Sequence, residues 1–166
     1  LNKLTNANVF VKAQAFATLD PTTRKLHLEG FGHVLLTDTV GFIRKLPTHL
    51  IEAFKATLEE SGDADVLVHV IDLSNDQMEK QIQTVQDLIE ELGWNEKPIL
   101  YVYNKVDAAS PDKQFKVKYH PKVFISAVTG EGIPKFKEML KETLHSLTQE
   151  VELFIPKDQE QVIYEI

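Results

Sequence analysis

The sequence predicts an α/β fold: a doubly wound, mostly parallel sheet with helices on both faces, in three layers. Short, nearly continuous apolar runs at 34–36, 65–72, 98–103 and 122–125 are typical of strands buried on both faces of a parallel sheet. Segments with apolar residues at helical spacing alternate with these runs, which indicates βαβ units. With 166 residues, 43% of them hydrophobic, the chain has enough apolar material for one packed domain.

Each element is predicted from its local pattern. Residues 25–29 alternate in polarity and residues 30–32 form a turn, which predicts a hairpin into the strand that ends at Asp38. Helices are predicted at 1–6, 49–60, 77–92 and 133–147. A boundary at 149 or 150 is expected to separate one domain, 1–148, from the start of a small second domain at 149–166.

Composition excludes several classes of function. The net charge of −7 argues against broad nucleic-acid binding, although a local patch would still allow docking on a ribonucleoprotein. The chain has no cysteine, which excludes a disulfide framework, a thiolate zinc site and a cysteine nucleophile. No apolar run approaches the roughly 20 residues of a membrane span, and we expect no signal peptide. The start at Leu1 rather than methionine indicates a piece of a longer protein.

The motif Asp38-Thr39-Val40-Gly41 follows the apolar run at 34–36. Ligands of open α/β sheets bind beyond the carboxyl ends of the strands, where this aspartate is expected to lie. Its carboxylate suits Mg²⁺, directly or through water, and Gly41 lets a backbone amide approach a terminal phosphate. The pattern also fits an ordinary turn, because Asp-x-x-Gly is common by chance.

A second motif, Asn104-Lys105-Val106-Asp107, follows the strand predicted at 98–103. A carboxylate at Asp107 would accept hydrogen bonds from two nitrogens of a guanine edge, an arrangement that adenine cannot provide. Asn104 would tie the loop and the carbonyl side of the base together, and the aliphatic stem of Lys105 would cover the face of the ring. The alternative is a surface turn.

Two weaker signals accompany these motifs. Ser126-Ala127-Val128 follows the last predicted strand, where a backbone amide would suit the guanine oxygen. Thr18, within Phe16-Ala17-Thr18-Leu19-Asp20, offers a hydroxyl to magnesium. Each pattern also occurs in plain turns. The six histidines show no metal-ligand spacing, and His69 is interpreted as a satisfied core residue.

The order of these motifs along the chain is more informative than any one of them. A threonine loop, Asp-x-x-Gly, Asn-Lys-x-Asp and Ser-Ala in succession resemble the G domain of a translation-factor-class GTPase, which has a P-loop NTPase-like fold. Longer strings narrow the resemblance to the HflX family of ribosome-associated GTPases. These strings are Phe16-Ala17-Thr18-Leu19-Asp20-Pro21-Thr22, Asp38-Thr39-Val40-Gly41-Phe42-Ile43-Arg44 with Leu46-Pro47, and Ala53-Phe54-Lys55-Ala56-Thr57-Leu58.

The resemblance implies a protein that binds and hydrolyses GTP and switches between GTP and GDP states on the large ribosomal subunit. It further implies a role in ribosome splitting or rescue, or in assembly under stress. Mg²⁺ would be held by Thr18 and, through water, by Asp38. The implied GTP-binding residues are 16–20, 38–41, 104–107 and 126–128. A cytoplasmic monomer is expected, with or without a membrane-associated fraction.

The sequence departs from the family pattern in two places. Val128 replaces a usual lysine, so stacking by that lysine is lost. The phosphate-cradling loop Gly-x-x-x-x-Gly-Lys-Ser/Thr does not occur in these residues, and the family pattern places it just upstream of Leu1. We therefore expect the 166 residues alone to bind nucleotide poorly and to be inactive as an enzyme.

Phe42 occupies the position where many GTPases place a glutamine that orients the attacking water. A phenylalanine makes no such hydrogen bond, so no catalytic residue is assigned and slow intrinsic turnover is expected. Two alternatives stay open: a non-catalytic ribosome-binding module, in effect a pseudo-GTPase fragment, and an Obg-like or tRNA-modifying GTPase.

Overall fold

The computed structural model of the chain describes residues 2–5, 22–39 and 62–149. The strands are β1 (Thr22–Leu28), β2 (Gly32–Asp38), β3 (Leu67–Asp72), β4 (Ile99–Asn104) and β5 (Lys122–Phe124). The helices are α1 (Asn2–Thr5), α2 (Met78–Glu91), α3 (Asp112–Lys116) and α4 (Ile133–His145), with one 3₁₀ turn at Val106–Ala108.

Strands β3, β4 and β5 form a parallel sheet in that order. The register places Asp72 beside Asn104 and Tyr103 beside Phe124. Because all three strands run in the same direction, their carboxyl ends meet at one edge of the sheet. The loops that follow β3, β4 and β5 therefore begin side by side.

The central strand, β4, is buried on both faces. Leu100 and Val102 belong to an apolar cluster with Phe136 and Leu140 of α4. Alternate residues of the strand, Tyr101 and Tyr103, belong to a second cluster, with Met78 and Ile82 of α2. Two helices thus cover opposite faces of the sheet, and the predicted three-layer α/β class is confirmed.

The run at 34–36 does not form the buried parallel strand that the sequence predicts. In the described residues β2 pairs antiparallel with β1, and its burial alternates, with Leu35 69% exposed. The hairpin turn puts one face of a two-stranded ribbon on the core, through Leu26 and Leu28, and leaves the other face in water. The predicted hairpin itself is confirmed, but Asp38 ends a hairpin strand rather than a strand of the parallel sheet.

Helices α2 and α4 lie where the apolar spacing predicts them, within the usual uncertainty at helix ends. The 3₁₀ turn and α3 are not predicted, because the segment after Asp107 has no helical apolar stripe and Phe115 is 90% exposed. The helix predicted at 49–60 and, apart from residue 149, the domain predicted at 149–166 lie outside the described residues. Among helices within the described ranges, none has the length and apolar character needed to cross a bilayer.

Candidate guanine-nucleotide site

The loops after β4 and β5 are joined by the side chain of Asn104, the last residue of β4. Its Oδ1 accepts hydrogen bonds from the N–H of Lys105 (2.8 Å) and from the N–H of Ala127 (3.0 Å). A backbone bond from the N–H of Val106 to the oxygen of Ile125 (3.2 Å) reinforces the junction. The two motifs 104–107 and 126–128 are therefore held together at the carboxyl edge of the sheet, as the sequence predicts for a shared site.

Lys105 has a left-handed backbone conformation, with φ 67° and ψ 39°. Its Nζ donates to Oδ2 of Asp72 at 2.7 Å, across the edge from β4 to β3. The other oxygen of Asp72, Oδ1, accepts from the N–H (2.9 Å) and the hydroxyl of Ser74. Desolvation raises the pKa of Asp72, but the hydrogen bonds from Lys105 and Ser74 outweigh it and hold that pKa below its ordinary value.

Asp107 lies exposed in the 3₁₀ turn. Within the described part of the chain its carboxylate makes no hydrogen bond and no ion pair. Both carboxylate oxygens can accept hydrogen bonds from a ligand, which is the property that recognition of a guanine edge requires.

Ser126 is fully buried and fixes the turn after β5. Its Oγ accepts from the N–H of Thr129 (3.1 Å), and its N–H donates to the oxygen of Glu131 (2.9 Å). The N–H of Ala127 is donated to Asn104, whereas the N–H of Val128 makes no hydrogen bond within the described residues. Ser126 thus fixes the turn from its buried side, and Ala127 and Val128 are exposed to solvent.

The remaining predicted residues are not joined to this cluster. Asp38 is exposed at the end of β2, and within the described residues no hydrogen bond, ion pair or shared sheet connects it to Asn104 or Ser126. Thr39 is described, whereas residues 16–20 and 40–42, including Thr18, Val40, Gly41 and Phe42, lie outside the described ranges.

Of the two residues predicted to hold Mg²⁺, Thr18 and Asp38, only Asp38 lies within the described ranges. A free carboxylate is a hard oxygen ligand of the kind that Mg²⁺ takes, so this residue fits the ion. Within residues 2–5, 22–39 and 62–149, no three His, Asp or Glu side chains lie close enough to hold a metal without other ligands.

Sequence reasoning missed Asp72 and Ser74. One sequence feature could have identified Asp72: it stands at the end of a predicted apolar run, as Asn104 does in the next strand. The parallel register makes these two residues direct neighbours, and register is not visible in the sequence.

The interpretation of His69 as a satisfied core residue is wrong in one respect. The ring is largely buried against Tyr101, with 5.8 Å between the centroids, but its Nδ1 has no hydrogen-bond partner among the described residues. Burial lowers the pKa of His69 to about 4, so the ring is neutral at pH 7.

Comparison with known proteins shows the class of protein to which the chain belongs. Residues 1–105 match the family model of the 50S ribosome-binding GTPase domain. Two crystal structures of SsGBP superpose on the chain with a TM-score of 0.67, one of a variant and one in complex with GDP. They are 26% and 27% identical, and the matches cover 90% and 88% of this chain and 51% and 44% of theirs. The fold is that of a P-loop NTPase-like GTPase domain.

Closer relatives define the family. The chain is 49% identical to the GTPase HflX of Lacrimispora saccharolytica, over 88% of its length, and 40% identical to the GTPase HflX of Escherichia coli, over 93%. The chain therefore belongs to the HflX family of GTPases. It spans 35% and 37% of the length of these two relatives.

Proposed function

We propose that the full-length protein binds GTP and GDP and hydrolyses GTP, with Asn104, Lys105 and Asp107 recognising the guanine base. The observation that carries the proposal is the double hydrogen bond to Asn104 Oδ1, which joins two loops beside the unpaired carboxylate of Asp107. Family membership supports the activity, and the GDP complex of SsGBP supports the nucleotide class.

The chemistry of the base explains why an aspartate belongs at this position. Guanine presents two N–H donors, from N1 and from its 2-amino group, to the two oxygens of one carboxylate. Adenine presents an unprotonated ring nitrogen there, so its lone pair would face a negative charge with no proton between them. Asp107 would therefore select GTP and GDP over ATP and ADP.

Phosphate and magnesium binding would involve the motifs at 16–20 and 38–41. Thr18 and Asp38 would hold Mg²⁺, the latter through water, and the amide of Gly41 would meet the terminal phosphate. When bound, the ion would neutralise charge that develops on the phosphates during hydrolysis.

Turnover is expected to depend on a partner. Phe42 neither donates nor accepts a hydrogen bond, so this chain does not orient the attacking water from that position. A ribosomal partner, specifically the large subunit, would order the loops and accelerate hydrolysis, in line with the name of the matched family. The cellular role would be in ribosome splitting or rescue, or in assembly under stress, and we propose that the protein is a cytoplasmic monomer.

Single-turnover hydrolysis of GTP by the full-length protein, with and without purified large subunits, tests this proposal. We expect slow hydrolysis alone and an increase of about 10²-fold or more with subunits, since supplying a missing water-orienting or charge-stabilising group has effects of at least that size. Fast hydrolysis without subunits would remove the argument from Phe42. No hydrolysis in either condition would favour a non-catalytic binding module.

A further inference from the structure

We infer that Asp72 is a positioning residue of the guanine site, which holds the side chain of Lys105 across the edge where the base binds. The inference deepens the proposed function and rests on it, because it requires a base at this edge. Asp72 itself is not expected to touch the nucleotide.

The geometry that supports this role comes from the parallel register. Asp72 ends β3 directly beside Asn104, the residue that ends β4, and Lys105 follows at once. The left-handed backbone of Lys105 lets its side chain run sideways along the edge rather than onward into the loop. With Nζ 2.7 Å from Asp72 Oδ2, the four methylene groups of Lys105 span the carboxyl ends of two neighbouring strands.

Asp72 is itself held in a fixed orientation. One carboxylate oxygen accepts two hydrogen bonds from Ser74, from the backbone N–H and the hydroxyl. The second oxygen is thereby turned toward Lys105, where it accepts the ammonium. Ser74 thus fixes Asp72, and Asp72 fixes Lys105.

The expected consequence is preorganisation. A lysine side chain has among the largest conformational entropies of any residue, and ordering it on binding opposes affinity. The ion pair orders the stem before the ligand arrives, so its apolar surface is already in place against one face of a base. Since the stem contacts the ring and not its exocyclic groups, the effect should be equal for guanine and hypoxanthine.

The chain supplies a matched control in Asp76. Its Oδ1 pairs with Nζ of Lys113 at 2.8 Å, nearly the same length as the 2.7 Å pair of Asp72, although Asp76 is 93% exposed and Asp72 is 32% exposed. Neither partner lies in the motifs at 104–107 or 126–128, and the one link to Asp72 is a hydrogen bond from Lys113 Nζ to the backbone oxygen of Ser74 (2.9 Å). Removing this second carboxylate changes the charge of the protein by the same amount without touching Lys105.

The experiment is a titration of full-length protein with fluorescent GDP and IDP, using the variants Asp72→Asn, Asp76→Asn, Lys105→Ala and the double variant Asp72→Asn/Lys105→Ala. We expect Asp72→Asn to raise Kd about three- to tenfold for both nucleotides, the range for one partly exposed ion pair plus side-chain ordering. Asp76→Asn should change Kd less than about twofold. In the Lys105→Ala background, Asp72→Asn should have no further effect, because Asp72 acts through that lysine.

Two results would overturn the inference while leaving the proposed function in place. One is an unchanged Kd for Asp72→Asn in a wild-type protein that binds GDP. The other is the same weakening with and without Lys105, which would mean that Asp72 acts on the fold. If the wild-type protein does not bind GDP, both the inference and the proposed function fail.

Thermal unfolding checks that each variant is folded. If Asp72→Asn does not fold, Ser74→Ala replaces it, since that change loosens Asp72 without removing its charge. A smaller rise in Kd that again disappears with Lys105→Ala supports the inference, and an unchanged Kd contradicts it.

Discussion

Asp107 and Lys105 contribute to the candidate site through different physical effects, although only one residue separates them. The carboxylate of Asp107 has no described partner, so it is free to accept hydrogen bonds that specify a base. The ammonium of Lys105 is already committed to Asp72, so it contributes the apolar surface of its stem. Asp107 is therefore expected to provide specificity for guanine, and Lys105 to increase the affinity for any purine base.

The first prediction concerns Asp107→Ala. GDP affinity should fall about 30-fold, which corresponds to roughly 2 kcal/mol for the two hydrogen bonds to a charged acceptor. IDP lacks the 2-amino group and loses only one of these bonds, so the preference for GDP over IDP should shrink toward one. Competition titrations of both nucleotides measure this ratio, with Asp112→Ala as a control for an exposed carboxylate on the neighbouring helix α3. An unchanged ratio would contradict the assignment of Asp107.

The second prediction follows from His69. Burial lowers its pKa from 6.5 to about 4, so between these values the unfolded chain binds the proton and the folded chain does not. Stability from this residue is therefore complete above about pH 6.5 and decreases as the pH falls toward 4. His69→Leu should remove about 2 kcal/mol of the loss in unfolding free energy between pH 7 and pH 5. Urea unfolding at the two pH values tests this, and an equal pH dependence in both proteins would contradict it.

At the scale of single elements, the start of α4 depends on Gly132. Its φ is +72°, and a Cβ placed there would lie 1.9 Å from the carbonyl oxygen of Phe124 at the end of β5. The helix can begin this close to the sheet only because the residue has no side chain.

The third prediction compares Gly132→Ala with Gly93→Ala. The two glycines have nearly equal φ, +72° and +71°, but a Cβ at Gly93 meets nothing within 4 Å. Gly93→Ala should cost about 1–2 kcal/mol of unfolding free energy for the left-handed conformation alone. Gly132→Ala should cost at least about 2 kcal/mol more, because backbone atoms must shift. Equal losses on urea denaturation would show that the close approach to Phe124 does not matter.

The strands and helices of the parallel sheet were predictable because burial imposes a pattern on the sequence. Tyr101 and Tyr103 alternate with Leu100 and Val102, and all four are apolar enough to be covered on both faces of β4. The strand that ends at Asp38 was placed in the wrong sheet, because a short apolar run fits a buried parallel strand and a hairpin strand equally well. Pairing partners decide between them, and these are set by tertiary structure.

At the scale of the whole molecule, the motifs were predictable, but the contacts that hold them in place were not. Asn104, Asp107 and Ser126 follow strands that the sequence identifies, so their common edge could be inferred. Three kinds of contact depend on strand register and loop geometry. They are the two hydrogen bonds to Asn104, the hydrogen bonds of Asp72 with Ser74 and Lys105, and the burial of Ser126. No local pattern in the sequence encodes these contacts.

We propose that the carboxyl ends of β4 and β5 form a site selective for guanine. Calorimetric titration of GDP and ADP into the full-length protein with Mg²⁺ tests it most directly. GDP should bind at least about 10²-fold more tightly than ADP, because the carboxylate of Asp107 pairs with guanine and repels the ring nitrogen of adenine. Equal affinity for the two nucleotides would contradict it.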